Sequence, residues 1–521
     1  MKKRSNNSEK NKQVEKKQKL KFLIFGLFLT IMNVYFLNNT VIQNNTRDFD
    51  NIYIILLIII ILAEIVSTIF LIKTKINKWK IENIFLAIAI PTGLLYMFVI
   101  PIGLVPDEEA HFSRAYEISK GYLISDKNES GFGGRELPVE IGTIMSSTTD
   151  TYEKTLDNLK LKNSGNWEFK VFANTASYSF VCYIPQTLGI LAGKVLHLPM
   201  LGIAYFGRLF NLAAWIAVMY VALKLIPCYK KLFLIAALLP ITMQEAASLS
   251  ADALTISMCF LLISYVIYLV KTKKSQITKK EYILLLAITT IVSLCKIVYI
   301  PFCLLLLLIP KEKFKDKNDK IKKVAFIIAF AILINLIWLS IGSQFLVEFN
   351  PGVDSAEQVK YILSHPFTYL QVIANTIIAK GDFIAGALSK NLEIFNVSMP
   401  YIFQLLILIM MVLAIKKDTE NEYWNSMDKK LVSILVLGAC VLLIFTSLYV
   451  QWTPLKNSVI DGIQGRYFIP LLLLVPMAVT KVTDKKIKIT EKGESWFEQY
   501  LCITMIFINI AALTLLFYTH I

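Results

Sequence analysis

Apolar runs of about 20 residues recur along this chain, and a run of that length is what a helix needs to cross roughly 30 Å of hydrocarbon. They lie at 21–42, 52–72, 81–104, 201–226, 232–248, 252–270, 322–345, 399–415, 431–450, 466–480 and 499–519, in a chain of 521 residues that is 55% hydrophobic. The stretch 281–309 is equally apolar but is interrupted by Lys296 and Pro301. Backbone groups in lipid must be satisfied within their own segment, so such a chain folds as an all-α, polytopic transmembrane bundle of about 11–13 spans.

Charge orients the bundle. Lys2, Lys3, Arg4, Lys10, Lys12, Lys16, Lys17 and Lys19 make residues 1–20 a basic tail. The apolar segment behind it is too long for a signal peptide and lacks an A-x-A-like site, so 21–42 reads as a retained anchor with a cytosolic N-terminus. Basic connections at Lys73–Lys80, Tyr229–Lys231, Lys271–Lys280, Lys311–Lys323, Lys416–Lys430 and Lys481–Lys492 then all fall inside. This requires 281–309 to be a broken pair of short helices and 176–198 not to cross. The alternative, with 176–198 spanning and 281–309 a single tilted helix, puts Lys230 and Lys271–Lys280 outside, against the positive-inside rule. The formal charge of +16 is concentrated in these connections, so it is explained without a nucleic-acid partner. Seven cysteines sit in or beside apolar runs with no C-x-x-C, which suits small core residues.

The organisation that follows is a tail at 1–20, two N-terminal helices at 21–80, a main membrane domain at 81–480, and a cytosolic connection with a last helix at 481–521. External loop 105–175 carries twelve acids against eight Lys and Arg. A second external segment, 346–398, has Val359, Ile362, Leu363, Pro366, Phe367, Leu370, Ile373 and Ile377 at helical spacing. That stripe fits a helix in the membrane interface or one packed on the bundle.

Polar residues that topology does not require carry the chemistry. Asp107, His111 and Arg114 stand at i, i+4 and i+7, one face of a helix entered at Pro106, with Glu108 and Glu109 in its first turn. A carboxylate at the membrane surface serves as a general base or as a ligand for a hard cation. Asp252 follows a polar turn between two spans, where it or Ser250 also suits a helix cap. Arg208, Lys296 and Arg466, the last in Gln464-Gly465-Arg466-Tyr467, are cations at outer span ends or breaks. Each calls for an anion, either an internal carboxylate or a lipid phosphate. Gly465 would let backbone approach such an anion.

Pro106-Asp107-Glu108-x-x-His111-Phe112-x-Arg114-Ala115-Tyr116, Tyr183-Ile184-Pro185, Arg208-Leu209-x-Asn211-Leu212, Cys295-Lys296-x-x-Tyr299-x-Pro301 and Gly465-Arg466-Tyr467-Phe468-x-Pro470 together resemble the DUF2142 family of bacterial membrane proteins. The resemblance covers roughly 85–480. That family is similar in layout to GT-C glycosyltransferases, which place an acidic motif in the first external loop and use polyprenyl-phosphate-linked sugars. What the resemblance implies is sugar transfer to a cell-envelope polysaccharide or glycolipid on the outer face of the bacterial cytoplasmic membrane. Asp107, with Glu108, would then be catalytic, the aspartate deprotonating or orienting the acceptor hydroxyl. Arg208, Lys296, Arg466 and Tyr467 would hold the donor phosphate. His111, Arg114 and Asp252 would position these groups or bind the acceptor, and Asp107 with Asp252 would be the ligands if a divalent cation, Mg or Mn, takes part. A transporter or flippase of polyprenyl-linked saccharides would need the same charges, although no paired half-repeats are visible. A non-catalytic scaffold of polysaccharide assembly would not depend on Asp107.

Overall fold

The structure, a computed structural model, describes residues 2–43, 51–74, 76–145, 152–274, 276–346, 350–393, 397–417, 427–479 and 491–520. The basic connections at 418–426 and 480–490, and Asp150 in the long loop, lie outside the described residues. Among those described, eight helices are long and apolar enough to cross a membrane: Gln13–Asn39, Tyr53–Lys73, Ile81–Val99, Met200–Leu225, Asp252–Lys271, Lys317–Phe345, Met427–Gln451 and Trp496–Thr519. The chain is an all-α polytopic bundle, and shorter or broken apolar segments complete it.

The segment 230–246 is one of these. It is two helices, Lys230–Ala237 and Pro240–Ala246, because Pro240 removes a donor and sterically opposes helix at Leu239. Side chains repair the break: Asn509 Nδ2 donates to Leu238 O (2.9 Å), Thr242 Oγ1 to Ala236 O (3.0 Å), and Ile241 N to Ser389 Oγ (3.0 Å). Irregular backbone at membrane depth survives only when repaired in this way.

The stretch 281–309 is the expected broken pair. Helix Lys279–Cys295 ends at an extended Lys296, and a 3₁₀ helix, Ile297–Leu308, returns beside it. The two ends meet again, since Ile277 N donates to Lys313 O at 2.9 Å. Seventeen α-residues and twelve 3₁₀-residues both rise about 24–26 Å, so the arms match and Lys296 is the tip of a hairpin nearly as deep as the bilayer. The segment 176–198 yields a 3₁₀ turn, Phe180–Tyr183, running into helix Ile184–Val195, a shorter apolar stretch that is not among the eight long helices.

On the face where Lys296 lies, the connections pack on one another. Trp338 Nε1 donates to Ser177 O (2.9 Å), Asn350 Nδ2 to Trp452 O (2.6 Å), and Tyr152 N to His520 O (3.3 Å). At the opposite face Lys230 meets Glu82 at 3.7 Å and Lys231 meets Glu498 at 3.5 Å. The loop after residue 104 adds something the periodicity does not announce, an antiparallel sheet of Asp126–Lys127, Gly133–Pro138 and Trp167–Val171, with Gly134 opposite Val171. The first two helices pack with the last one: Phe22 lies edge-on to Tyr500 at 5.2 Å, and Asn33 Nδ2 donates to Phe507 O at 3.1 Å. In 346–398 the apolar stripe splits over Ser355–Ser364 and Pro366–Ala379. Leu363 and Phe367, 77% and 85% exposed, point away from the bundle, which favours the membrane-interface alternative.

Candidate functional site

Asp107 adopts φ 64°, left-handed for a residue with a Cβ, and only then does the helix Glu108–Ile118 begin. This turn separates residues expected to share one helix face. Asp107 makes no capping bond. Its Oδ2 receives Arg466 Nη2 at 2.7 Å and its Oδ1 receives Asn174 Nδ2 at 3.1 Å. His111 Nδ1 shares a 2.8 Å hydrogen bond with the Tyr183 hydroxyl. Arg114 turns the other way, onto Glu117, Leu123 O and Tyr178 O, fully buried. It braces the loop and lines neither of the two cavities described below.

Glu108 and Arg208 are placed differently from the expectation as well. All five Arg208 N–H groups are satisfied: Nε and Nη2 on Glu108 (2.8 and 2.6 Å), and the rest on Met97 O, Ile100 O and Pro101 O. Glu108 also accepts Gly103 N (2.9 Å) and Leu249 N (3.1 Å). One turn from Arg208, Asn211 Nδ2 binds Ser248 O and Ser250 O at 2.8 and 3.0 Å. The Arg208-Leu209-x-Asn211 motif therefore secures the irregular turn 247–251 and the end of helix Ile81–Val99. Neither Glu108 nor Arg208 has a bond left for a substrate, so neither keeps its expected catalytic or phosphate-binding place.

Lys296, by contrast, comes to the centre. From the hairpin tip it pairs with Asp252, and its ammonium faces the rings of Tyr467 and Tyr178 at 5.2 and 5.7 Å. Asp252 opens the helix Asp252–Lys271 without capping it. Ser250 Oγ takes Asp252 N at 3.1 Å, and Asp252 Oδ2 stands 3.7 Å from Arg466 Nε. Arg466 Nη1 donates to Pro106 O (3.2 Å) and lies 3.8 Å from Glu245. Tyr299 donates to Tyr467 O at 2.8 Å, tying the Lys296 and Arg466 motifs together. Gly465 serves packing, not anion approach. A Cβ there would lie 2.1 Å from Gly386 C, so only glycine lets these two backbones touch.

Two cavities of about 280 Å³ each flank this charge cluster. The first is lined by Asp107, His111, Asn174, Lys296 and Tyr467 and, from two spans, by Trp338, Leu339, Ile444 and Leu448. The second holds Arg466, Glu245, Lys380, Asp382, Asn391 and Glu393. Gln464 lines both. Sequence reasoning grouped Arg466 with Lys296 as one phosphate clamp, but the structure sets them on different cavities with Asp252 between. It also missed Glu245, Asn174 and Gln464. Glu245 was legible only as one acid inside a polar turn.

Electrostatics distinguish Asp107 from His111, both outside the spans. Burial, the largest single influence, raises the Asp107 carboxyl, but Arg466, His111 and Lys296 together outweigh it and hold the group below its ordinary range. Burial, only partly opposed by Asp107 and Asp252, pushes His111 down to about 4, so the imidazole is neutral at neutral pH. A divalent cation on Asp107 and Asp252 does not fit these side chains, since each already faces a cation. Among the described residues no three His, Cys, Asp or Glu gather as a ligand set. All seven cysteines are buried, and none forms a disulfide among the described residues.

The family model described as predicted membrane protein (DUF2142) matches residues 91–475, leaving the first two helices and the last outside. No curated protein and no solved structure matches the chain.

Proposed function

We propose that this chain, which belongs to the DUF2142 family of predicted membrane proteins, transfers a sugar from a polyprenyl-phosphate-linked donor to an envelope glycan or glycolipid at the outer face of the cytoplasmic membrane. The observation that carries the reading is the first cavity, where a carboxylate and an ammonium face an apolar wall made by membrane spans. A polyprenyl chain suits that wall, and its phosphate suits Lys296, which retains N–H groups beyond its bond to Asp252. The likeness in layout between this family and GT-C glycosyltransferases supplies the reaction class.

In this reading Lys296 and the Tyr467 face hold the donor phosphate and stabilise its charge as it leaves. Asp107, held ionised by Arg466, lies beside the anomeric carbon and steadies the positive charge developing there. A carboxyl of lowered proton affinity makes a weak general base, so Asp107 orients the acceptor hydroxyl more than it retains its proton. His111 and Asn174 complete that wall, and Arg466 fixes Asp107 in place. Residues 81–480 form the transferase body in this scheme, with two flanking membrane helices in 21–80 and a cytosolic connection followed by a last helix in 481–521.

Membranes carrying the protein should transfer labelled sugar from polyprenyl-phosphate hexose or pentose to endogenous acceptor, and Lys296→Ala membranes should not. Labelled donor that changes leaflet without transfer would instead establish the flippase reading, which the two broken helices at 230–246 and 279–308 favour. The sidedness has its own check. Cysteines at Ser130 and Ser164, in a background without the native seven, should react with impermeant maleimide on intact cells, and protection of both until lysis reverses the orientation.

A further inference from the structure

Glu245 stands out among the described residues. It is fully buried with no close ionic partner: Arg466 Nη1 lies 3.8 Å away, and the Ser250 hydroxyl is a neutral neighbour within reach. Leaving an ionisable side chain in that state costs more than almost any neutral alternative, so a buried carboxylate without a close counterion calls for a ligand. Its two oxygens are covered in this conformation, at the margin of a cavity. The residue lines the second cavity, where Asn391 and Gln464 add amides, Phe383 a ring, and Lys380 a cation that already meets Asp461. Carboxylates, amides and an aromatic face form a lining for hydroxyls, unlike the span-lined first cavity. The two spaces meet at one ion pair, because Arg466 of the second grips Asp107 of the first at 2.7 Å and Gln464 borders both.

We infer that the second cavity receives the hydroxyl-bearing saccharide acceptor, and that Glu245 takes the proton of the attacking hydroxyl. This rests on the sugar-transfer reading above. The acceptor oxygen bonds to the anomeric carbon while the bond from that carbon to the phosphate oxygen breaks. The electron pair leaves with the phosphate, toward Lys296. The proton passes to the free Glu245 carboxylate and from there to water in the cavity. Arg466 stands between the two carboxylates, binding Asp107 tightly and Glu245 loosely, which leaves Glu245 the group with lone pairs to spare. Asp252, the other acid near Arg466, gives Oδ1 to Lys296 and turns Oδ2 toward Arg466 Nε at 3.7 Å, and it does not line the second cavity as Glu245 does.

The test compares wild type, Glu245→Gln and Glu245→Asp in membranes that hold the endogenous acceptor, with labelled polyprenyl-phosphate hexose and pentose as probes. Each is scored for transfer, for melting temperature in detergent, and for protection from heat by the donor. Glu245→Gln keeps the shape but cannot take a proton, so transfer should fall at least about a hundredfold. Its melting temperature and its protection by donor should stay at wild-type values, and Glu245→Asp should recover part of the rate. Transfer by Glu245→Gln within about threefold of wild type overturns the inference while leaving the sugar-transfer reading intact. A lowered melting temperature with lost donor protection assigns Glu245 to structure and overturns it as well. A wild type that transfers neither sugar sinks the sugar-transfer reading itself, and the inference with it.

Discussion

Asp107 and Glu108 are adjacent in the chain, each holds an arginine, and the two pairs do opposite things. Around Glu108 every bond is closed: five guanidinium N–H groups have acceptors, and the carboxylate takes two backbone amides besides. Around Asp107 the bonds stay open. Arg466 Nε and Asp252 Oδ2 face each other at 3.7 Å, beyond hydrogen-bonding distance, Glu245 lies 3.8 Å from Arg466, and 41% of the Asp107 side chain remains reachable. A saturated buried pair specifies a fold, because removing either member leaves an uncompensated charge. An unsaturated one reserves binding capacity for a ligand. The left-handed turn at Asp107 sends neighbouring carboxylates to these two destinations.

The sharpest way to break this contrast is Asp107→Asn. Asparagine tolerates the left-handed backbone about as well as aspartate, so folding should change little. Transfer should fall by about 10²–10³-fold because the charge beside the reacting carbon is gone. Sugar transfer in membranes and melting in detergent read the two halves. Wild-type transfer by this variant would move the weight to a scaffold.

Arg208→Ala should show the mirror image. It strands Glu108 without its counterion and frees three carbonyls, at a cost of about 3–5 kcal/mol. The expected result is a large loss of melting temperature and of inserted protein, not a clean catalytic defect. A folded Arg208→Ala protein with normal stability and no donor binding would return Arg208 to the phosphate site.

pH gives a third comparison, since His111 sits on the open side. Its folded value, about 4, lies below the roughly 6.5 of an unfolded imidazole. Between those values the unfolded chain binds more protons, so stability rises with pH there. It is fully present above about pH 6.5 and lost as pH falls toward 4, by roughly 3 kcal/mol. His111→Gln should flatten that part of the melting-temperature profile. An unchanged slope would mean that His111 is already charged in the fold.

Much of this was legible in residues that membrane burial makes expensive. Lys296 interrupts an apolar run, and the basic clusters on either side of it implied a hairpin whose tip is that lysine. Asp107, Asp252 and Arg466 stood out for the same reason and do converge. Cost alone does not say who satisfies whom. Arg208 looked as available as Lys296, and only the carbonyls of Met97, Ile100 and Pro101 close it. Glu245 passed as one polar residue in a turn because its burial depends on how 230–246 breaks. The small sheet escaped notice because its longest strand, Gly133–Pro138, opens with two glycines and closes with a proline.

The finest test separates the two cations. Lys296 lines the first cavity and Arg466 the second, so substitutions should divide between donor affinity and rate. Lys296→Gln removes a charge-assisted bond to phosphate, worth about 1.5–3 kcal/mol, and should weaken donor binding by about tenfold or more. Asp252 keeps Arg466 at 3.7 Å, so the fold should tolerate the change. Arg466→Lys keeps the charge but loses the two-pronged hold on Asp107 and Pro106 O. It should lower transfer by about tenfold with donor affinity unchanged, because Asp107 is misplaced while Lys296 still meets the phosphate. Donor binding measured by heat protection, alongside transfer rates, separates the two. If Arg466→Lys weakened donor binding as much as Lys296→Gln, both cations would contact the phosphate, and the division of the site into two cavities would fail.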